Sequence, residues 1–156
     1  PDVCSMNPMG RQWFDLGDMT EGPQVAAAVI LPSVQAACDE LGLDHTAVAL
    51  TGFSQGGMMS LHCGLSMDPP PAAIVSFSGA LLQKEAIADL ETRPAVMLVH
   101  GTDDAVVPIS MMATASGILG EHGIEAACVS RPGLDHGIDS DALTAAIDFL
   151  ADALPG

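Results

Sequence analysis

Ser54 lies within Gly52-Phe53-Ser54-Gln55-Gly56-Gly57, between the apolar run Ala47-Val48-Ala49-Leu50 and a helix expected from Met58 to Leu65. Residues of these types in this order suit a nucleophile elbow, a sharp strand-to-helix turn that holds a serine hydroxyl at its tip. The flanking glycines allow the turn and let the helix approach the strand closely. The free N–H groups of the new helix would aim at the point where an attacked carbonyl oxygen gains negative charge. The competing reading is a structural glycine-rich turn, and the strand before and helix after Ser54 favour catalysis over it.

A serine hydroxyl needs a general base, and the base needs an acid to orient it. Around an elbow of this kind the expected chain order is Ser, then Asp or Glu, then His. Val96-Met97-Leu98-Val99 reads as a buried strand running into His100-Gly101-Thr102-Asp103-Asp104-Ala105-Val106-Val107-Pro108. Glu125-Ala126-Ala127-Cys128-Val129-Ser130 reads as another, followed by Arg131-Pro132-Gly133-Leu134-Asp135-His136-Gly137. Loops at the carboxyl ends of parallel strands are where α/β folds carry their working residues. His45, His62 and His100 precede the acidic loop and fail the order. His122, in Gly120-Glu121-His122-Gly123, fits a helix C-terminus, where a histidine complements the dipole. His136 is the better base. Either Asp103 or Asp104 could face its imidazole, with the other capping the following turn.

Taken together, these segments resemble the phospholipase/carboxylesterase family of α/β-hydrolases, which includes acyl-protein thioesterases. Gly52-Phe53-Ser54-Gln55-Gly56-Gly57 is similar to the family's nucleophile motif, His100-Gly101-x-x-Asp104-x-x-Val107-Pro108 to its acid motif, and Gly133-x-x-His136 to its histidine loop; Trp13-Phe14-Asp15 is similar to a segment the family carries upstream. The resemblance places the acid on Asp104. It implies that Ser54 attacks an ester or thioester carbonyl, that His136 relays the proton, and that the backbone N–H of Gln55 is one oxyanion donor. Trp13 and Val107, carried in these motifs, are candidates for substrate binding. Met58 joins them as a flexible thioether beside the elbow. No metal or organic cofactor is implied.

The family begins with a strand ending in a His-Gly-rich loop, the source of a second oxyanion N–H, and a further strand before Trp-Phe-Asp. This chain opens at Pro1-Asp2-Val3-Cys4. The expectation is a three-layer α/β-hydrolase-type domain over residues 1–156, mostly parallel and truncated at its N-terminus. Loss of one oxyanion donor costs about a hundredfold or more in rate. The strand at 47–51 would become an open edge, available to a second copy, to aggregation or to a supplied N-terminal piece. Two alternatives to an active serine esterase follow: a catalytically impaired hydrolase fragment serving as an interaction or structural module, and a dienelactone-hydrolase-like enzyme, which would use a cysteine nucleophile and is opposed by Ser54.

The elements that must position these residues alternate regularly. Strands are expected near 47–51, 72–78, 95–100 and 125–130, and helices near 22–41, 55–66, 84–91, 109–121 and 139–152, the pattern of a parallel sheet covered by helices. Pro32 should kink the first helix or mark a restart. No apolar run is long enough to cross a bilayer.

Composition narrows the partners. Twenty acidic residues against four basic ones give a formal charge of −16, with Lys84 the single lysine. Such a surface repels nucleic-acid phosphates and anionic bilayers, so a nucleic-acid role is excluded and a neutral small-molecule ester is the easiest substrate to accommodate. The four cysteines show no metal-ligand spacing, and Cys38, Cys63 and Cys128 fit small core positions. With no signal peptide in view, the chain reads as cytoplasmic.

Overall fold

A computed structural model describes residues 1–4, 9–83, 87 and 92–154. A short antiparallel ribbon comes first, β1 (Asp2–Val3) with β2 (Arg11–Gln12), pairing Val3 with Arg11. The main sheet holds β3 (Ala49–Phe53), β4 (Ala73–Phe77), β5 (Ala95–Gly101) and β6 (Ala126–Arg131) in that spatial order, all parallel. The helices are α1 (Gly22–Leu41), α2 (Gln55–Ser66), α3 (Ser110–Glu121) and α4 (Ser140–Ala153). The helix expected at 84–91 falls outside the described residues except for Ile87, which is buried in the core.

Strand alternation separates the two covered faces. Ile74, Val96 and Leu98 meet Leu61 and Leu65 of α2 and Ala115 and Leu119 of α3. Val75, Phe77, Met97 and Val99 point the other way, onto Ala142 and Ala146 of α4. Every residue of β4 is buried, as a strand flanked and covered on both sides must be. A further cluster joins Phe14, Ala26 and Ala27 of the N-terminal segment and α1 to Met58, Met59 and Cys63 of α2.

Three details differ from the sequence reading. The first strand begins two residues later than expected because a 3₁₀ turn, His45–Ala47, intervenes. The Asp44 side chain caps it by accepting from the Thr46 N–H. Helix α1 continues through Pro32 as one element. Pro32 and Ala28, whose carbonyl loses its i+4 donor, both lie on the exposed side, where water satisfies the orphaned carbonyl. Cys128 is exposed rather than in the core. It sits on an edge strand, and although Ala126 on the same face packs against the core, cover ends before Cys128.

Among the described residues β3 pairs only with β4. The Val48 carbonyl accepts from Ala72 and the Ser54 N–H donates to Phe77. Alternation therefore turns the backbone groups of Ala49, Thr51 and Phe53 toward the free edge. Thr51 is exposed there. An edge of this kind is a template for strand addition, and the chain should self-associate as concentration rises. Thr51→Pro removes one outward donor without touching the β3–β4 ladder and should shift light scattering toward monomer. A wild-type chain that stays monomeric throughout the micromolar range would contradict edge pairing.

Candidate active site

Ser54 occupies the turn between β3 and α2 with φ 55° and ψ −120°, a conformation that costs a non-glycine residue about 1–3 kcal/mol. The surroundings hold it there. A Cβ at Gly52 would run into the Gly56 backbone and lie 2.7 Å from the Gly57 nitrogen, and one at Gly57 would lie 2.7 Å from Ser76 Oγ. Strand and helix are thus in direct backbone contact through two glycines. Gly56 differs, because a Cβ there meets nothing within 4 Å. Its place in the motif is not a steric demand of the turn.

Two further strand ends converge on Ser54. The acidic loop after β5 brings up Asp104, whose side chain is fully enclosed. Its Oδ1 accepts from the N–H groups of Val106 (2.9 Å) and Val107 (2.8 Å). The loop after β6 brings up His136. Its Nδ1 donates to Asp104 Oδ2 at 2.7 Å, and its Nε2 accepts from the Ser54 hydroxyl at 2.9 Å. The carboxylate, which only accepts, fixes this tautomer. The ring of Phe53 leans on the imidazole with centroids 4.8 Å apart. Asp103 is turned away and accepts from the Thr102 hydroxyl at 2.7 Å.

Burial alone would raise the Asp104 carboxyl, but hydrogen bonds from His136 and from the Val107 and Val106 amides, with attraction to His136, outweigh it and hold the carboxyl below the usual range. His100, buried in β5, adds a further brace. Its Nε2 donates to the Val107 carbonyl at 2.8 Å and lies 3.4 Å from Asp104 Oδ2. The histidine loop is tied at both ends. Arg131 Nε contacts both Asp139 oxygens at 3.1 Å and its terminal nitrogen bonds Asp141. Thr102 Oγ1 accepts from the Gly133 N–H at 2.8 Å, joining the two loops.

Gln55 opens α2, so its backbone N–H has no intrahelical acceptor and is an oxyanion candidate. Its side chain does something the motif did not reveal. Oε1 accepts from the Trp13 N–H at 2.6 Å and Nε2 donates to the Phe14 carbonyl at 2.8 Å. The amide thereby fastens the N-terminal segment to the first turn of α2. A cleft of about 300 Å³ beside Ser54 is lined by Gln55, Met58, Val107, Val106, Leu16 and Arg11, among others. Met58 and Val107 are therefore placed together with Ser54. Trp13 is not. It packs against the α1–α2 cluster and lines a separate hollow with Ile30 and Leu50 along the β3 edge. The bracing roles of Gln55, His100 and Arg131 left no mark in sequence spacing, since Gln55 reaches a distant segment, His100 bonds a backbone carbonyl, and Arg131 meets Asp139 and Asp141 only once the histidine loop has folded back.

A family model described as Phospholipase/Carboxylesterase matches residues 1–154. The chain belongs to this family. Its fold is that of the α/β-hydrolases. The phospholipase/carboxylesterase chain is 30% identical over 157 residues to "Esterase YpfH" of Escherichia coli (strain K12), covering 97% of this chain and 66% of that protein. It is 29% identical over 161 residues to "Acyl-protein thioesterase 1" of Gibberella zeae, covering 92% and 68%. Thus it spans about two thirds of the length of these curated relatives. Among solved structures, esterase PE8 superposes with a TM-score of 0.90 at 35% identity, over 99% of this chain and 75% of that one. Arabidopsis thaliana SOBER1 shares the fold, with a TM-score of 0.78 at 21% identity over 98% and 79%.

Two predictions test this geometry. Because the folded Asp104 carboxyl lies below its unfolded value of about 3.9, it contributes stability above that pH, lost as pH falls through the lower folded value. Urea denaturation of wild type and Asp104→Asn should therefore show a gap in stability at pH 6 that closes as pH falls below about 4. An undiminished gap at pH 3 would refute the linkage. Gln55→Leu keeps the backbone N–H but removes both bonds to residues 13 and 14. Trp13 is the chain's single tryptophan, so acrylamide quenching of its fluorescence should increase in this variant; unchanged quenching would show that the clamp does not hold the segment.

Proposed function

We propose that the chain is a serine hydrolase that cleaves carboxylic esters or thioesters through Ser54, His136 and Asp104. The observation that carries this reading is the continuous hydrogen-bonded array from Asp104 through His136 to Ser54 Oγ. His136 Nε2 takes the hydroxyl proton as Ser54 Oγ attacks the carbonyl carbon. Asp104, already ionised and enclosed, stabilises the imidazolium and keeps Nε2 aimed at the serine. The tetrahedral oxyanion receives the Gln55 N–H. His136 then returns the proton to the departing alcohol or thiol, leaving an acyl-enzyme that water opens by the same steps in reverse. The cysteine-nucleophile alternative gains nothing here. Cys63 is enclosed in α2, and burial pushes its thiol up to about 11.

The partner is a small-molecule ester or thioester. Among the described residues no helix is long and apolar enough to cross a membrane. All four cysteines are free, which suits a reducing compartment and supports a cytoplasmic setting. The second reading, an impaired hydrolase module, rests on the edge of β3, which is unpaired among the described residues.

A fluorophosphonate probe separates the two. Intact-mass analysis should show one adduct on the wild-type chain and none on Ser54→Ala, and nitrophenyl ester turnover should fall on the order of a thousandfold or more in that variant. Folded wild-type protein that takes up no probe, with ester turnover equal to that of Ser54→Ala, would sink the enzymatic reading in favour of the module.

A further inference from the structure

The cleft beside Ser54 carries a charge that the composition does not lead one to expect. Four basic residues serve a chain with twenty acidic ones, and most of those described are engaged elsewhere. Arg131 is held by Asp139 and Asp141. Arg93 Nε donates to the His122 carbonyl at 3.1 Å, at the far end of α3. Lys84 lies outside the described residues. Arg11 is different. It is exposed on β2, takes part in no ion pair among the described residues, and lines the same cleft as Ser54. The ribbon pairing of Arg11 with Val3, and the Cys4 N–H donating to the Gly10 carbonyl at 3.1 Å, fix its backbone over the site.

An unneutralised guanidinium in so acidic a protein is informative. The surface as a whole repels anions, while Arg11 places a positive charge in the wall of the cleft that leads to Ser54. Leu16, Met58, Val106 and Val107 give the rest of the wall an apolar stretch, with Gln12, Gln55 and Cys4 beside it. An apolar channel with a planar, always charged fork suits a ligand with a hydrocarbon spacer ending in a carboxylate or phosphate. Resting on the serine-hydrolase reading, we infer that this cleft selects esters bearing an anionic group remote from the scissile carbonyl, with Arg11 as the residue that reads the charge. Neutral esters of the same length lack this contact, and they are the substrates that net charge alone would favour.

The test compares matched pairs. On the acyl side, 4-nitrophenyl hydrogen adipate is set against 4-nitrophenyl hexanoate; on the alcohol side, 3-acetoxybenzoate against phenyl acetate. A phosphate in place of the carboxylate, as in 3-acetoxyphenyl phosphate, distinguishes the two anions. The readout is the ratio of kcat/KM for the anionic member to that for the neutral one. In at least one pair this ratio should fall about fivefold in Arg11→Gln, the scale of an exposed charge pair. It should fall further in Arg11→Glu, recover in part in Arg11→Lys, and shrink in wild type as salt is raised. Ratios unchanged by Arg11→Gln in every pair would overturn the inference while leaving the hydrolase reading intact. If wild type turns over no ester, that reading fails instead, and binding decides this one. Saturation-transfer NMR on Ser54→Ala should then show monomethyl adipate binding more tightly than methyl hexanoate, with the difference lost on adding Arg11→Gln. Equal binding of the two would overturn it.

Discussion

The strained backbone of Ser54 is the constraint on which the rest of the arrangement depends. With φ at 55°, the residue stays in place only because the chain on either side has nowhere else to go. Gly52 and Gly57 bring β3 and α2 into backbone contact, and Ser54 N–H is committed to the Phe77 carbonyl of β4. Relaxing the turn would break a ladder bond and unpack α2 from a sheet face that it shares with α3. Packing of β4 and α2 thus maintains local strain at the serine. The same turn presents the Ser54 hydroxyl to His136 Nε2.

Around that turn, Asp104 and His136 are held by interactions of a different kind. Asp104 is enclosed yet ionised, because donors from two amides and an imidazole replace the water it has lost. A buried carboxylate with fewer partners would take up a proton and lose its grip on the histidine. His100 works on the same point indirectly by fixing the Val107 carbonyl. Arg131 and Thr102 then tie the histidine loop to α4 and to the acidic loop. The site's precision comes from side chains bonded to backbone in these loops, which lie at the carboxyl ends of parallel strands as in other open α/β sheets.

Charge acts at two scales. The excess of carboxylates sets the long-range field and what it repels, and at the histidine loop Asp139 and Asp141 also capture Arg131. At the cleft one guanidinium, that of Arg11, stands in the wall with no carboxylate paired to it among the described residues. Net charge therefore describes encounter with the surface as a whole, whereas the groups lining a cleft of about 300 Å³ decide what rests there.

Much of the fold was legible in the sequence, because strand and helix periods and glycine-bounded turns are local signals. Helices 22–41 and 55–66 lie where their patterns put them. The late start of β3 was not visible, since an Asp44-capped turn competes with an apolar run that reads equally well as strand. Pro32 misleads because its cost depends on whether the freed carbonyl meets water, a property of exposure and not of sequence. Cys128 misleads for a related reason, as an apolar strand pattern does not say which strand ends at an edge. Residue types and chain order alone named Ser54, His136 and the Asp103/Asp104 pair; Asp104 was separated from Asp103 by resemblance. What only the tertiary structure decided is which atoms meet: the Gln55 side chain on Trp13 and Phe14, Trp13 outside the cleft, and Arg11 within it. Those contacts join segments up to tens of residues apart. Their geometry exists only once the sheet has set the distances between its loops.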